Sequence, residues 1–139
     1  YGEDKEDKNL IMELLNWMLK NKVDYTNTFV FLMDKIIENS ETYNNADFDL
    51  WKIKWMKRLA MFDNSPGKSI ELMHSTNPMV IPRNHKVEEA LTSANNGDLT
   101  LFNKLIKILK NPYVVNKDDF KFMSPAPHSD KKYQTFCGT

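Results

Sequence analysis

Apolar residues recur at three- and four-residue steps along most of this chain, and that spacing limits the possible folds more than any other feature. Leu10, Ile11, Leu14, Leu15 and Met18 form one such run, as a helix with one buried face requires. After Asn21-Lys22 a second helix is predicted from about Thr26, with Phe29, Met33, Ile36 and Ile37 facing inward. Residues 39–47 are polar, and Ser40, Asn44 and Asn45 suit a loop. A third helix then carries Phe48, Trp51, Trp55, Leu59 and Phe62 on one stripe. No segment alternates apolar and polar residues as a half-buried strand does. The expected fold is all-α: a compact, irregular bundle of about six helices, a helical hairpin near the C-terminus and an extended tail.

The punctuation supports this division. Ser65-Pro66 reads as a cap followed by proline at the first helical position, where a missing N–H costs nothing. That helix holds Ile70, Leu72 and Met73 and is expected to end before Asn77-Pro78. Met79-Val80-Ile81-Pro82 lies between two prolines and is predicted to be extended. The hairpin follows: one helix from about His85 to Asn95, a left-handed stop at Gly97, and a second helix capped by Asp98. Leu101, Phe102, Leu105, Ile106 and Leu109 give that second helix its core face, Lys107 and Lys110 complement its C-terminal dipole, and Pro112 ends it. Residues 1–121 are assigned to the helical domain. Residues 122–139 form a tail containing Ser124-Pro125-Ala126-Pro127, with Phe122, Tyr133 and Phe136 as possible anchors.

Charge and cysteine usage narrow the function classes. Nineteen basic and nineteen acidic residues cancel, so nothing favours nucleic acid or an anionic membrane as a partner. Apolar runs fall far short of the ~20 residues of a spanning helix, and no secretory signal opens the chain. The initial Tyr1 suggests a processed or truncated product. A lone Cys137 cannot form an intrachain disulfide, which points towards a reducing compartment.

Few side chains invite chemistry. His74, His85 and His128 match no compact metal motif, so no metal site is assigned. Cys137 lacks a protease-like partner and is an ordinary terminal thiol or a redox residue pairing with a distant cysteine. Glu88-Glu89 and Asp118-Asp119 lie in polar contexts, and neighbouring helical positions point apart, which suits acid–base work poorly. No glycine-rich phosphate loop occurs among the four glycines. The loop Asn77-Pro78-Met79-Val80-Ile81-Pro82-Arg83-Asn84-His85 is less bland. Arg83 and Asn84 either lock it through backbone hydrogen bonds, with Asn84 as N-cap of the first hairpin helix, or contact a ligand.

That loop, with Val87-Glu88-Glu89-Ala90, Gly97-Asp98-Leu99 and Leu109-Lys110-Asn111-Pro112-Tyr113, resembles the C-terminal part of the selenoprotein O (YdiU) family. The ending Tyr133-Gln134-Thr135-Phe136-Cys137-Gly138-Thr139, the segment Asp24-Tyr25-Thr26-Asn27-Thr28-Phe29 and the helix from Trp51 to Leu59 are also similar to it. The resemblance implies a parent with a kinase-like fold that uses ATP and magnesium to transfer AMP to protein hydroxyl groups. The family's nucleotide and metal motifs have no match here. The chain is therefore expected to be non-catalytic and to hold no cofactor itself. Asn77, Pro78, Pro82, Arg83, Asn84, Gly97 and Asp98 are expected to be structural. Cys137 occupies the family's terminal redox position. The implied partners are the N-terminal kinase-like part of the same protein and the parent's protein substrates, in the cytoplasm of a bacterium or the mitochondrion of a eukaryote. A self-standing helical interaction module is the competing reading.

Overall fold

A computed structural model describes residues 5–34, 40–62 and 66–126 of the chain. Among the described residues six α-helices form where the apolar spacing predicts them: α1 (Lys5–Asn21), α2 (Tyr25–Asp34), α3 (Ala46–Phe62), α4 (Pro66–Thr76), α5 (Asn84–Asn95) and α6 (Thr100–Leu109). Two 3₁₀ turns, Ser40–Tyr43 and Lys117–Phe122, complete the regular structure, and there is no strand among the described residues. The expected all-α class is what the chain adopts. Contacts divide it into two compact units, Tyr1–Pro78 and Met79–Thr139.

The first unit is organised around aromatic rings. Leu14, Trp17 and Met18 of α1 meet Leu32 of α2, Tyr43 of the 3₁₀ turn, and Phe48 and Trp51 of α3. Phe48 is wholly buried. Its ring stacks on Trp17 at 4.5 Å between centroids, and Phe31 stacks on Tyr43 at 4.1 Å. Such pairs contribute about 0.5–1.5 kcal/mol each beyond the area they bury. Both core indoles also place their N–H groups: Trp17 donates to the Asn45 side-chain oxygen at 3.1 Å, and Trp51 to the Leu10 carbonyl at 2.8 Å. Packing within this unit thus fixes side-chain identity and orientation together.

Helix ends in this unit follow local chemistry. Asp24 accepts the Asn27 N–H at 2.9 Å, which starts α2 at Tyr25. Lys22 adopts φ 52°, and the Val23 N–H returns to the Met18 carbonyl at 2.9 Å, closing α1 in the left-handed manner usually given to glycine. The stretch expected to be a plain loop instead tightens into Ser40–Tyr43, because burying Tyr43 brings its hydroxyl 3.3 Å from that of Thr28. Ile36, Ile37 and Ser65 lie outside the described residues, and so does the tail from residue 127 onward, Cys137 included. Ile11, expected in the core, is 58% exposed because α1 turns Leu14, Trp17 and Met18 inward.

In the second unit α5 and α6 pack on each other as the expected hairpin. Ala90 of α5 and Leu105 and Ile108 of α6 are buried, along with Met79, Val80, Phe122 and Met123. The segment before α5 is neither helix nor strand, and the Met79 and Val80 N–H groups both donate to the Pro112 carbonyl, at 2.8 and 3.2 Å. Regular structure runs to Phe122 and burial to Met123.

Candidate functional site

The loop and hairpin singled out in the sequence resolve into helix-end geometry. Asn77 donates its N–H to the Met73 carbonyl at 2.7 Å and closes α4; Pro78 follows it, and Pro82 is exposed. Arg83 is buried and holds the capping position of α5, with φ −79° and ψ 127°. Its carbonyl accepts the N–H groups of Lys86 and Val87 at 2.9 and 3.0 Å. This corrects the assignment of Asn84 as N-cap. A cap needs non-helical dihedrals, and Asn84 is already the first helical residue, exposed to solvent.

The hairpin turn needs a similar adjustment. Gly97 has φ +89°, the left-handed conformation expected of it, and no heavy atom lies within 4 Å of where a Cβ would stand. Asp98 is not the formal cap of α6, because Leu99 occupies that position. The Asp98 carboxylate nevertheless accepts the Thr100 N–H at 2.9 Å, so it still satisfies a donor at the helix start. Hydrogen bonds from Thr100 hold its pKa below the usual aspartate value.

Electrostatics at the start of α5 are shaped by a short row of ionisable groups. Partial burial pushes the His85 pKa below the usual value, and the positive charges of Lys86 and Arg83 push it the same way. Glu89 is lowered by its hydrogen bond from Lys86, whose Nζ lies 2.9 Å away. Neutral imidazole and ionised carboxylate are the states this arrangement favours near neutral pH. No three of His, Cys, Asp and Glu are grouped to hold a metal among the described residues.

Two features escaped the reading of the residues alone. Asp119, expected in a polar context, is 4% exposed, and Lys104 Nζ stands 2.7 Å from its Oδ1 without an aligned hydrogen bond. In a 3₁₀ turn residues three apart share a face, so Asp119 is carried inward with Phe122. The apolar residues Phe120, Phe122 and Met123 were the available signal. The second feature is a groove of about 260 Å³ between α1 and α3, lined by Glu6, Asn9, Leu10, Glu13, Lys54 and Arg58. Its charges are mutually engaged across the helices: Lys54 with Glu13 at 2.9 Å, and Arg58 with both carboxylate oxygens of Asp7. These pairs fasten α1 to α3. None of these places assembles a nucleophile, a base and an oxyanion donor.

Comparison with known proteins places this geometry in context. The family model for protein adenylyltransferase SelO matches residues 2–110. A protein nucleotidyltransferase YdiU of Pelagibacter ubique (strain HTCC1062) is 78% identical over all 139 residues, which span 29% of its length. Those of Bacillus mycoides (strain KBAB4) and Bacillus cereus (strain ATCC 10987 / NRS 248) are 40% and 41% identical, again over the whole chain and 29% of theirs. The chain thus spans less than a third of the curated relatives it matches. Since the model covers well over half of its residues, the chain belongs to the protein adenylyltransferase SelO family.

Proposed function

We propose that this chain is the C-terminal helical region of an AMP-transferring enzyme, supporting a kinase-like part that carries the chemistry. The observation behind this reading is the coverage: the whole chain aligns with only 29% of relatives named as nucleotidyltransferases. In the parent, a protein serine, threonine or tyrosine hydroxyl attacks the α-phosphorus of ATP and pyrophosphate leaves. Magnesium and cationic side chains would stabilise the charge that develops there. The described residues do not suit that role. Gly97 sits in a helix-to-helix turn rather than a phosphate loop, and no acidic cluster is placed to hold magnesium among them. ATP and magnesium are proposed to bind in the rest of the parent.

Cys137 is proposed as a redox residue of the tail, forming a reversible disulfide with a cysteine elsewhere in the parent. The protein substrates and the kinase-like part of the same polypeptide are the proposed partners, with no role for nucleic acid or membrane. No helix of the described residues is long and apolar enough to cross a membrane. The proposed location is the cytoplasm in a bacterium.

The test is a transfer assay with ATP labelled separately at the α- and γ-phosphate. The full-length parent is expected to pass only the α-label to protein, and this chain alone to pass neither. Transfer of the γ-label by the parent, or of either label by the isolated chain, would overturn the reading. For the tail, mass spectrometry of oxidised parent should recover Cys137 in a disulfide-linked peptide; finding it only as a free thiol under oxidation removes the redox role.

A further inference from the structure

Helix α3 is apolar on two opposite sides. Phe48 and Trp51 face the core, at 0% and 6% exposure, with Trp55 packed beside them. Leu50 and Ile53 each follow a core residue by two positions, about 200° around a helix of 3.6 residues per turn. They are 61% and 53% exposed, and Met56 and Met61 in the same arc are 44% and 73% exposed. Within this arc Asp49 and Lys57 interrupt the apolar surface, and Asp49 is paired with Lys52 at 3.2 Å. Lys54 and Arg58, on the side towards α1, are already engaged by Glu13 and Asp7. An exposed cluster of large apolar side chains on a helix whose other face is already in a core marks a surface that a partner covers.

We infer that the Leu50–Ile53–Met56–Met61 face of α3 is the surface on which the remainder of the parent polypeptide docks. This rests on the reading of the chain as part of a longer enzyme. The occupant follows from what is missing: more than twice as many residues of each relative lie outside the matched region as inside it. The docking surface is expected to be apolar, with an acidic or carbonyl group opposite Lys57.

Thiol labelling in the full-length parent tests this. Ile53→Cys and Met56→Cys are introduced singly, and the labelling rate of each is read by peptide mass spectrometry in the native protein and in urea. Protection of at least tenfold at both positions, unchanged on dilution and after removal of residues 127–139, is the expected result. Less than tenfold protection at either position overturns the proposal. Protection lost on dilution assigns the face to a second copy instead, and protection lost with residues 127–139 assigns it to the tail; both overturn it. The AMP-transfer assay is scored separately. A parent that transfers AMP but labels freely at position 53 refutes the docking alone, whereas a protected but inactive parent refutes the functional reading and leaves the docking in place.

Discussion

Replacing Phe48 by alanine tests the packing of the first unit more directly than any other change. Phe48 is wholly buried and its ring meets Trp17 at 4.5 Å, Tyr43 at 5.4 Å, Trp51 at 5.8 Å and Phe31 at 6.0 Å between centroids. Truncation removes the transfer energy of the ring and leaves a cavity walled by rigid aromatics, which collapse poorly. The expected loss is at the upper end of the usual range, about 4–5 kcal/mol. For a cooperative unit of this size each kcal/mol moves the melting temperature by roughly 4–8 °C, so the unit should melt at least 15 °C lower. Urea denaturation followed by helical circular dichroism gives the free energy. A double-mutant cycle of Phe48→Leu with Trp17→Leu isolates the stacked pair, for which about 0.5–1.5 kcal/mol of coupling is expected. A Phe48→Ala cost below about 1 kcal/mol, or zero coupling with Trp17, would refute the proposed core.

Other perturbations probe the second unit. Gly97→Val should cost about 1–2 kcal/mol through backbone strain alone, since the site has room for the side chain, whereas Gly97→Asn should cost less; equal melting temperatures for all three would refute the left-handed turn. Asp98 is held below its usual pKa, so its contribution is fully present above the unfolded value and is lost as pH falls through the lower folded value. Wild type should therefore lose its stability advantage over Asp98→Asn on acidification below about pH 4, and a constant difference would refute the linkage. Lys104→Met leaves the Asp119 carboxylate buried without its cation and should destabilise by about 1–3 kcal/mol, less than for a fully enclosed pair because Lys104 is half in solvent. Adding Asp119→Leu should recover most of that loss, and failure to recover it would mean that Lys104 acts through its alkyl chain.

The legible parts of this molecule were those whose signal is local and periodic. Leu101 to Leu109 places a helix without help from the rest of the chain, and Gly97 announces its positive φ because few other residues adopt it cheaply. Lys22 reaches the same conformation with no such announcement, since its left-handed geometry is imposed by the Val23–Met18 closure. Arg83 in place of Asn84 shows a similar limit. Asparagine has the better capping side chain, but which residue leaves the helix first depends on the irregular segment whose Met79 and Val80 N–H groups converge on Pro112. Asp119 looked solvated from its neighbours because its burial depends on Lys104 in another element. The exposed face of α3 was hidden for the opposite reason. The stripe of Phe48, Trp51 and Trp55 accounts for the core side of the helix, and the second stripe is distinguished only by its exposure in the fold.

Asn45 has a consequence for how the first unit assembles. Its side-chain oxygen receives three donors at once: the Trp17 indole at 3.1 Å and the backbone N–H groups of Asp47 and Phe48 at 3.0 and 3.2 Å. The last two initiate α3, while the first comes from a helix 28 residues earlier in sequence. A single atom therefore makes helix initiation and long-range docking report on each other. Before α1 arrives, the oxygen can serve the cap alone; once it arrives, the indole dipole polarises the same acceptor and holds its rotamer in the capping orientation. The start of α3 should consequently be protected from hydrogen exchange only to the extent that Trp17 is seated. Its opening should share the free energy of the α1–α3 interface rather than that of a fraying helix end.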